Sequence, residues 1–210
     1  MTDTDGDGAL DGRDIHPLSP SDTIYDRNAA YDYSQKYYEN YNDDYPSMEH
    51  GDCENFVSQC LYAGGLEMNS YWYMREHHFY DRFGDLFSNK AQNWSYEWSL
   101  NWTIANDQCN YFKDTYAINV YKIEREDSIS EFVKSHPNIQ VGDLLYFHNA
   151  DETKDVNHAT IISVVTESEI KYAGHTGSRD QYPLSDAIKH KEDGEYSYDY
   201  VYIIQMSDAV

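Results

Sequence analysis

Gly51-Asp52-Cys53-Glu54-Asn55-Phe56-Val57-Ser58-Gln59-Cys60 is the stretch whose reading decides the fold. Asp52 is a residue type favoured just before a helix, and Phe56, Val57, Cys60 and Leu61 follow at helical spacing. Cys53 therefore falls in the first turn, where backbone N–H groups and the helix dipole favour negative charge. A thiolate is stabilised there, and it is the nucleophilic form of cysteine. The same N–H groups can cradle the oxyanion formed when sulfur attacks an acyl carbon. Ala63-Gly64-Gly65 closes the helix, since glycine tolerates the left-handed turn after a helix end.

Before it, Ala29, Ala30, Tyr33, Tyr37 and Tyr41 share one face of a helix expected from Tyr25 to about Tyr41. After it, residues 66 to 100 show weak periodicity and hold Trp72, Trp94 and Trp98, as expected of a groove or an irregular core. Trp102, Ala105, Cys109 and Phe112 predict a third helix, and the four-residue step from Trp94 through Trp98 to Trp102 extends its expected start backward. Asp127 to His136 reads as a short helix stopped by Pro137. The period then changes to strands at Asp143–Phe147, Ala159–Val165, Glu169–Ala173 and Tyr200–Met206. Helices followed by strands predict an α+β domain with an antiparallel sheet.

Two histidines fall on those strands. His158 opens an apolar strand, where a ring nitrogen could face the neighbouring helix terminus. His175 ends the following strand, and a hairpin at Thr166–Ser168 would bring it close enough to orient the His158 ring. Cys53, His158 and His175 are thus the candidates for nucleophile, base and orienting group.

With 15 basic against 38 acidic residues the net charge is -23, which argues against nucleic acid or an anionic membrane as partner. No run of apolar residues is long enough to span a membrane. The 22 tyrosines suit half-wet surfaces that bind sugars or peptides, or that simply pack. Three cysteines, at 53, 60 and 109, are not a disulfide framework.

The opening segment places Asp3, Asp5, Asp7, Asp11 and Asp14 around Gly8, with Ala9 offering a carbonyl. Hard oxygen donors at these offsets wrap one Ca²⁺, and without a cation the carboxylates would repel one another. The loop resembles the calcium loops of EF-hands, dockerins and thrombospondin type 3 repeats, with an aspartate where the EF-hand has its last glutamate. We expect a structural calcium site and linker over residues 1–22, ahead of a domain over 23–210.

Tyr25-Asp26-Arg27-Asn28-Ala29-Ala30, Gly51 to Gln59, Val141-Gly142-Asp143, Asn157-His158 and Gly174-His175-Thr176 together resemble the putative amidase domain family. That family belongs to the papain-like cysteine hydrolases, alongside the NlpC-like and CHAP cell-wall hydrolases. The resemblance implies a papain-like α+β fold and hydrolysis of amide bonds in bacterial peptidoglycan or its stem peptides. It assigns Cys53 as nucleophile, His158 as general base and acid, and His175 as the third polar residue, with no catalytic cofactor. Ser47 stands where papain-type enzymes carry a glutamine ahead of the cysteine. The side-chain donor of the oxyanion hole stays open among Tyr45, His50 and Asn55.

A secreted or envelope location follows as an expectation, with a signal peptide not contained in this stretch. A protein-directed cysteine protease or acyltransferase, and a non-catalytic calcium-stabilised wall-binding module, are the competing readings. The second is opposed by the presence of Cys53, His158 and His175 together.

Overall fold

The computed structural model describes residues 25–48, 51–78, 94–149, 156–175, 177–192 and 195–208. The expected calcium loop, at Asp3 to Asp14, lies outside them, as does His50. In chain order the elements are α1 (Arg27–Tyr37), α2 (Cys53–Ala63), β1 (Met74–His78), β2 (Trp94–Trp98), α3 (Leu100–Thr103), α4 (Ala105–Thr115), β3 (Ala117–Glu124) and α5 (Ile129–Ser135). They continue as β4 (Leu144–Asn149), β5 (His158–Val165), β6 (Ile170–Gly174), β7 (Arg179–Pro183), α6 (Leu184–Ala187), β8 (Lys191–Glu192), β9 (Glu195–Tyr196) and β10 (Tyr198–Met206). The fold is α+β, as expected.

Its centre is a six-stranded sheet in the order β3-β10-β4-β5-β6-β7, with every neighbouring pair antiparallel. Leu144 and Tyr146 on β4, Ala159 and Ile161 on β5, and Ala173 on β6 join Phe56, Val57, Leu61, Trp72, Trp102 and Phe112 in one apolar cluster. Leu145, Phe147, Ile162, Ile170 and Val201 face the other way and pack with Ile129, Val133, Leu184 and Ile188. The sheet is thus covered on both faces, which is why β4 and β5 read as continuous apolar runs without polar alternation.

Local signals set the helix ends. The Asp26 carboxylate accepts from the N–H groups of Asn28 and Ala29 and starts α1. Ser128 accepts from the Glu131 N–H and starts α5. Gly65 takes φ +97° just beyond α2, a conformation costly for any residue with a Cβ. Helix α1 stops at Tyr37, short of the expected Tyr41, which is exposed.

The start of the domain and the segment leading into β4 are locked together by a buried charge pair. Arg27 Nη1 lies 2.6 Å from Asp143 Oδ1, and Arg27 also donates to the carbonyls of Val141 and Met206. Tyr25 Oη donates to the Gly142 carbonyl at 2.8 Å. Removing one member of such a pair typically costs about 3–5 kcal/mol, because the other charge is left buried and unpaired. These contacts give the Tyr25–Ala30 and Val141–Asp143 segments a structural role.

One expectation fails. Trp94–Trp98 is a strand, β2, paired in antiparallel register with β1 from Met74↔Trp98 to His78↔Trp94. A four-residue step satisfies a strand repeat as well as a helical turn, so the tryptophan spacing could not separate the two.

Candidate active site

Cys53 is the first residue of α2 and is buried to 4 % residual exposure at the floor of a cleft of about 360 Å³. Gly51, Glu54, Trp98, Ile104, Asn106 and Asn157 contribute to the walls. Gly51, beside the nucleophile candidate, holds φ +141°, and a Cβ there would meet nothing within 4 Å, so its conformation and not crowding requires glycine.

The residues after Cys53 are buried polar fasteners. Asp52 starts the helix with its backbone carbonyl, which accepts from Phe56 N at 2.8 Å, but its side chain makes no capping bond. The carboxylate turns away instead, accepting from Met48 N, Asn55 Nδ2 and the His175 ring. Asn55 Nδ2 also donates to the Pro46 carbonyl, and Asn55 Oδ1 accepts from Trp102 Nε1. With these bonds made, Asn55 has no capacity left for an oxyanion. Ser58 Oγ donates to the Trp102 carbonyl and accepts from Trp72 Nε1 and Gln108 Nε2, while Gln59 Oε1 accepts from Tyr33 Oη at 2.6 Å. Tyr45 lines a different, tyrosine-rich cleft with Tyr33, Tyr62 and Tyr96.

The two histidines leave the sheet on opposite faces. His158 pairs with Phe147 across β4 and β5, and its ring lies 5.5 Å from the Phe147 ring and 6.4 Å from that of Tyr198. The imidazole remains within electrostatic reach of Glu54 on α2, and the adjoining Val156 and Asn157 line the cleft. Register Ile161↔Ala173 continues to bring His175 opposite Ala159, on the α2 face. There its ring stacks on Phe56 at 4.2 Å and packs against Tyr41 at 4.6 Å. Nδ1 lies 2.5 Å from Asp52 Oδ2 and Nε2 donates to the Tyr37 carbonyl at 2.6 Å. Both ring nitrogens are committed, so His175 does not orient His158. It ties the end of β6 to the last turn of α1 and to the residue preceding α2.

Glu54 is the group that sequence reading passed over. It sits beside Cys53 in the first turn, buried, with its Oε1 3.1 Å from Cys53 Sγ as acceptor of the thiol. Burial holds its carboxyl well above the ordinary carboxylate range; Cys53 adds to that rise and His158 opposes it. Burial also pushes His158 down to about 4, with Glu54 resisting and Arg179 assisting. Glu54 is thereby hydrogen-bonded to the sulfur and within electrostatic reach of the imidazole. The available signal was a charged residue inside a stretch otherwise buried from Asp52 to Leu61.

Cys53, Cys60 and Cys109 are all free and buried. Among the described residues no helix is long and apolar enough to cross a membrane, and no group of three or more His, Cys, Asp or Glu residues is placed to hold a metal. The family model described as Putative amidase domain matches residues 24–198. No curated protein and no solved structure matches the chain significantly.

Proposed function

The chain belongs to the Putative amidase domain family, and from that premise we propose that it is a cysteine amidase or endopeptidase acting on the amide bonds of bacterial peptidoglycan. Family membership supports hydrolysis of amides in general. The observation that carries the finer reading is Cys53 at the first position of α2, on the floor of an open cleft. Sulfur there attacks the amide carbon, and the N-terminal turn stabilises the tetrahedral oxyanion through backbone N–H groups. The Asp52 carboxylate, engaged with Met48, Asn55 and His175, does not compete for those groups. His158, within electrostatic reach of Glu54 beside the sulfur, is the base in this reading, and collapse of the intermediate releases the amine and leaves a thioester for water to cleave. The resemblance-based role of His175 becomes a positioning one, exerted through Asp52.

An open cleft walled by Trp98 and rimmed by asparagines suits a peptide stem. The papain-like affiliation and the secreted or envelope location belong to the same proposal, as does one Ca²⁺ held by Asp3, Asp5, Asp7, Asp11, Asp14 and the Ala9 carbonyl. The test is muropeptide release from purified Gram-positive and Gram-negative sacculi, comparing wild type with Cys53→Ala. New amino termini or free stem peptides from wild type alone are expected. Equal release by both proteins removes Cys53 from the mechanism. Absence of release, with casein cleaved, moves the substrate to proteins.

A further inference from the structure

We propose that the tyrosine-rich cleft beside the catalytic one binds the ammonium end of a lysine-type side chain. The inference goes beyond the hydrolysis proposed above, because this cleft is formed whether or not Cys53 reacts.

The cleft encloses about 470 Å³, and its walls hold Tyr33, Tyr45, Tyr62 and Tyr96 with the carboxylates of Asp44 and Glu76. Among the described residues that line it there is no lysine, arginine or histidine. Its position follows from the β1–β2 ribbon. Glu76 stands directly opposite Tyr96, and the next pair on the same face is Met74 and Trp98. Trp98 walls the catalytic cleft and Tyr96 walls this one, so the two clefts follow each other two residues, or about 7 Å, apart along one strand.

The bonds within the wall decide what it can hold. Tyr33 Oη donates to Gln59 Oε1 and accepts from Asn42 Nδ2, and Asn42 Oδ1 accepts from Asp44 N. Tyr96 Oη donates to the Asp44 carbonyl at 3.3 Å, which ties the Asn42–Tyr45 turn to β2. With those groups engaged, the cleft offers mainly ring faces and two carboxylates. A sugar calls for donors as well as acceptors, whereas an organic cation calls for π faces and negative charge. Both carboxylates act at Tyr96, where burial, then Glu76, then Asp44 hold the hydroxyl above its ordinary range. Asp44 and Glu76 are exposed, and carboxylates in water are ionised at neutral pH. Elsewhere the chain seats its own cations on tyrosine rings, Lys36 on Tyr37 at 4.7 Å and Lys122 on Tyr200 at 3.7 Å. Among the described residues no lysine or arginine is seated on the four rings of the cleft. Met68 and Met74 add apolar wall that suits a methylene stem, which favours a side chain over a bare N-terminal amine. An extended peptide repeats at the spacing of a strand, so one lying along β2 presents alternate residues to the two clefts.

The experiment titrates Nα-acetyl-lysine methylamide into wild type and into Cys53→Ala, following backbone amide signals by NMR. Saturable shifts are expected at Asp44, Tyr62, Glu76 and Tyr96 in both proteins. The norleucine analogue, which keeps the stem without the charge, should bind roughly fivefold more weakly or worse. Glu76→Gln should weaken the lysine probe roughly threefold, and Asp44→Asn added to it should bring that probe to the norleucine level. Both positions are exposed, so folding should be retained. The proposal is overturned if the two probes bind alike or if the carboxylate variants bind as wild type does. It is also overturned if the shifts fall outside the cleft, as expected of diffuse attraction to a chain of net charge -23. Preferential binding of N-acetylglucosamine would overturn it in favour of a sugar site, and equal binding of alanine methylamide through its free amine would defeat the assignment to a side chain. Failure of muropeptide release would fall on the proposed hydrolysis alone, since none of these titrations depends on turnover.

Discussion

Replacing His175 with alanine should unfold the clamp between β6, α1 and α2 while leaving the nucleophile chemically intact. The magnitude follows from three losses. The buried Asp52 carboxylate loses the partner 2.5 Å from its Oδ2, and a buried charge left without its partner costs about 3–5 kcal/mol. Met48 N and Asn55 Nδ2 still donate to Oδ1, which places the cost at the lower end of that range. The ring contacts with Phe56 and Tyr41, at centroid distances of 4.2 and 4.6 Å, contribute about another 1 kcal/mol. A total near 4 kcal/mol is a large part of the ~5–15 kcal/mol that holds a domain folded. With a urea slope of ~2–3 kcal/mol per molar, the unfolding midpoint should fall by about 1.3–2 M. Tryptophan fluorescence follows the transition, because Trp72 and Trp102 are fully buried beside α2. In a double-mutant cycle, Asp52→Asn should add far less in the His175→Ala background than in wild type. A midpoint within about 0.3 M of wild type, combined with loss of amide release, would refute this reasoning and return His175 to the chemistry.

The pH dependence of folding reports on His158. Its pKa falls to about 4 on burial, against about 6.5 in the unfolded chain, so between those values the unfolded state binds the extra proton. Stability therefore rises with pH through that window and the contribution is complete above it. Glu54, raised by burial, works in the opposite sense: its contribution is present below the ordinary carboxylate range and is lost as pH rises through its folded-state value. His158→Gln should lower the stability gained between pH 5 and pH 7 by about 2 kcal/mol, read from urea midpoints at both pH values, and an unchanged difference would exclude a buried neutral imidazole. Calcium is expected to act on stability alone, because the acidic loop precedes the first helix. Chelation should lower the thermal midpoint without altering turnover at 25 °C, and loss of turnover at an unchanged midpoint would contradict that.

Much of the fold was legible because its signals are local. Cys53 to Ala63 combines an apolar face with closing glycines, and the helix occupies those residues. Ser128 and Pro137 bracket α5 in the same way. Strands β4, β5, β6 and β10 stand out because burial makes them apolar throughout or nearly so. Strand β3 was missed because it is an edge strand, with only Ile123 buried, and so carries no pattern of its own. β7 is likewise a sheet edge without a buried residue. At the site, sequence spacing brought His175 near His158 along the chain direction but could not specify the face. Ala159 and His158 differ by one residue, and one residue reverses a strand side chain. Nor could it reveal where Asp52 spends its carboxylate, since that depends on a ring more than a hundred positions away.

The cleft has one wall of a different kind from the rest. Cys53 and Glu54 belong to the helix covering the sheet and Asn157 leads directly into β5, whereas Trp98 comes from β2, which among the described residues pairs with β1 alone in a sheet of its own. Met74 anchors this ribbon in the core while Trp98 stays 40 % exposed. Selectivity and folding are therefore separable by descent: the ribbon can change its side chains, or be exchanged for another, with the reacting thiol and the sheet left as they are. Lineages sharing this scaffold can diversify in what they cleave by editing a two-stranded cassette, and a transplanted cassette should carry its preference with it.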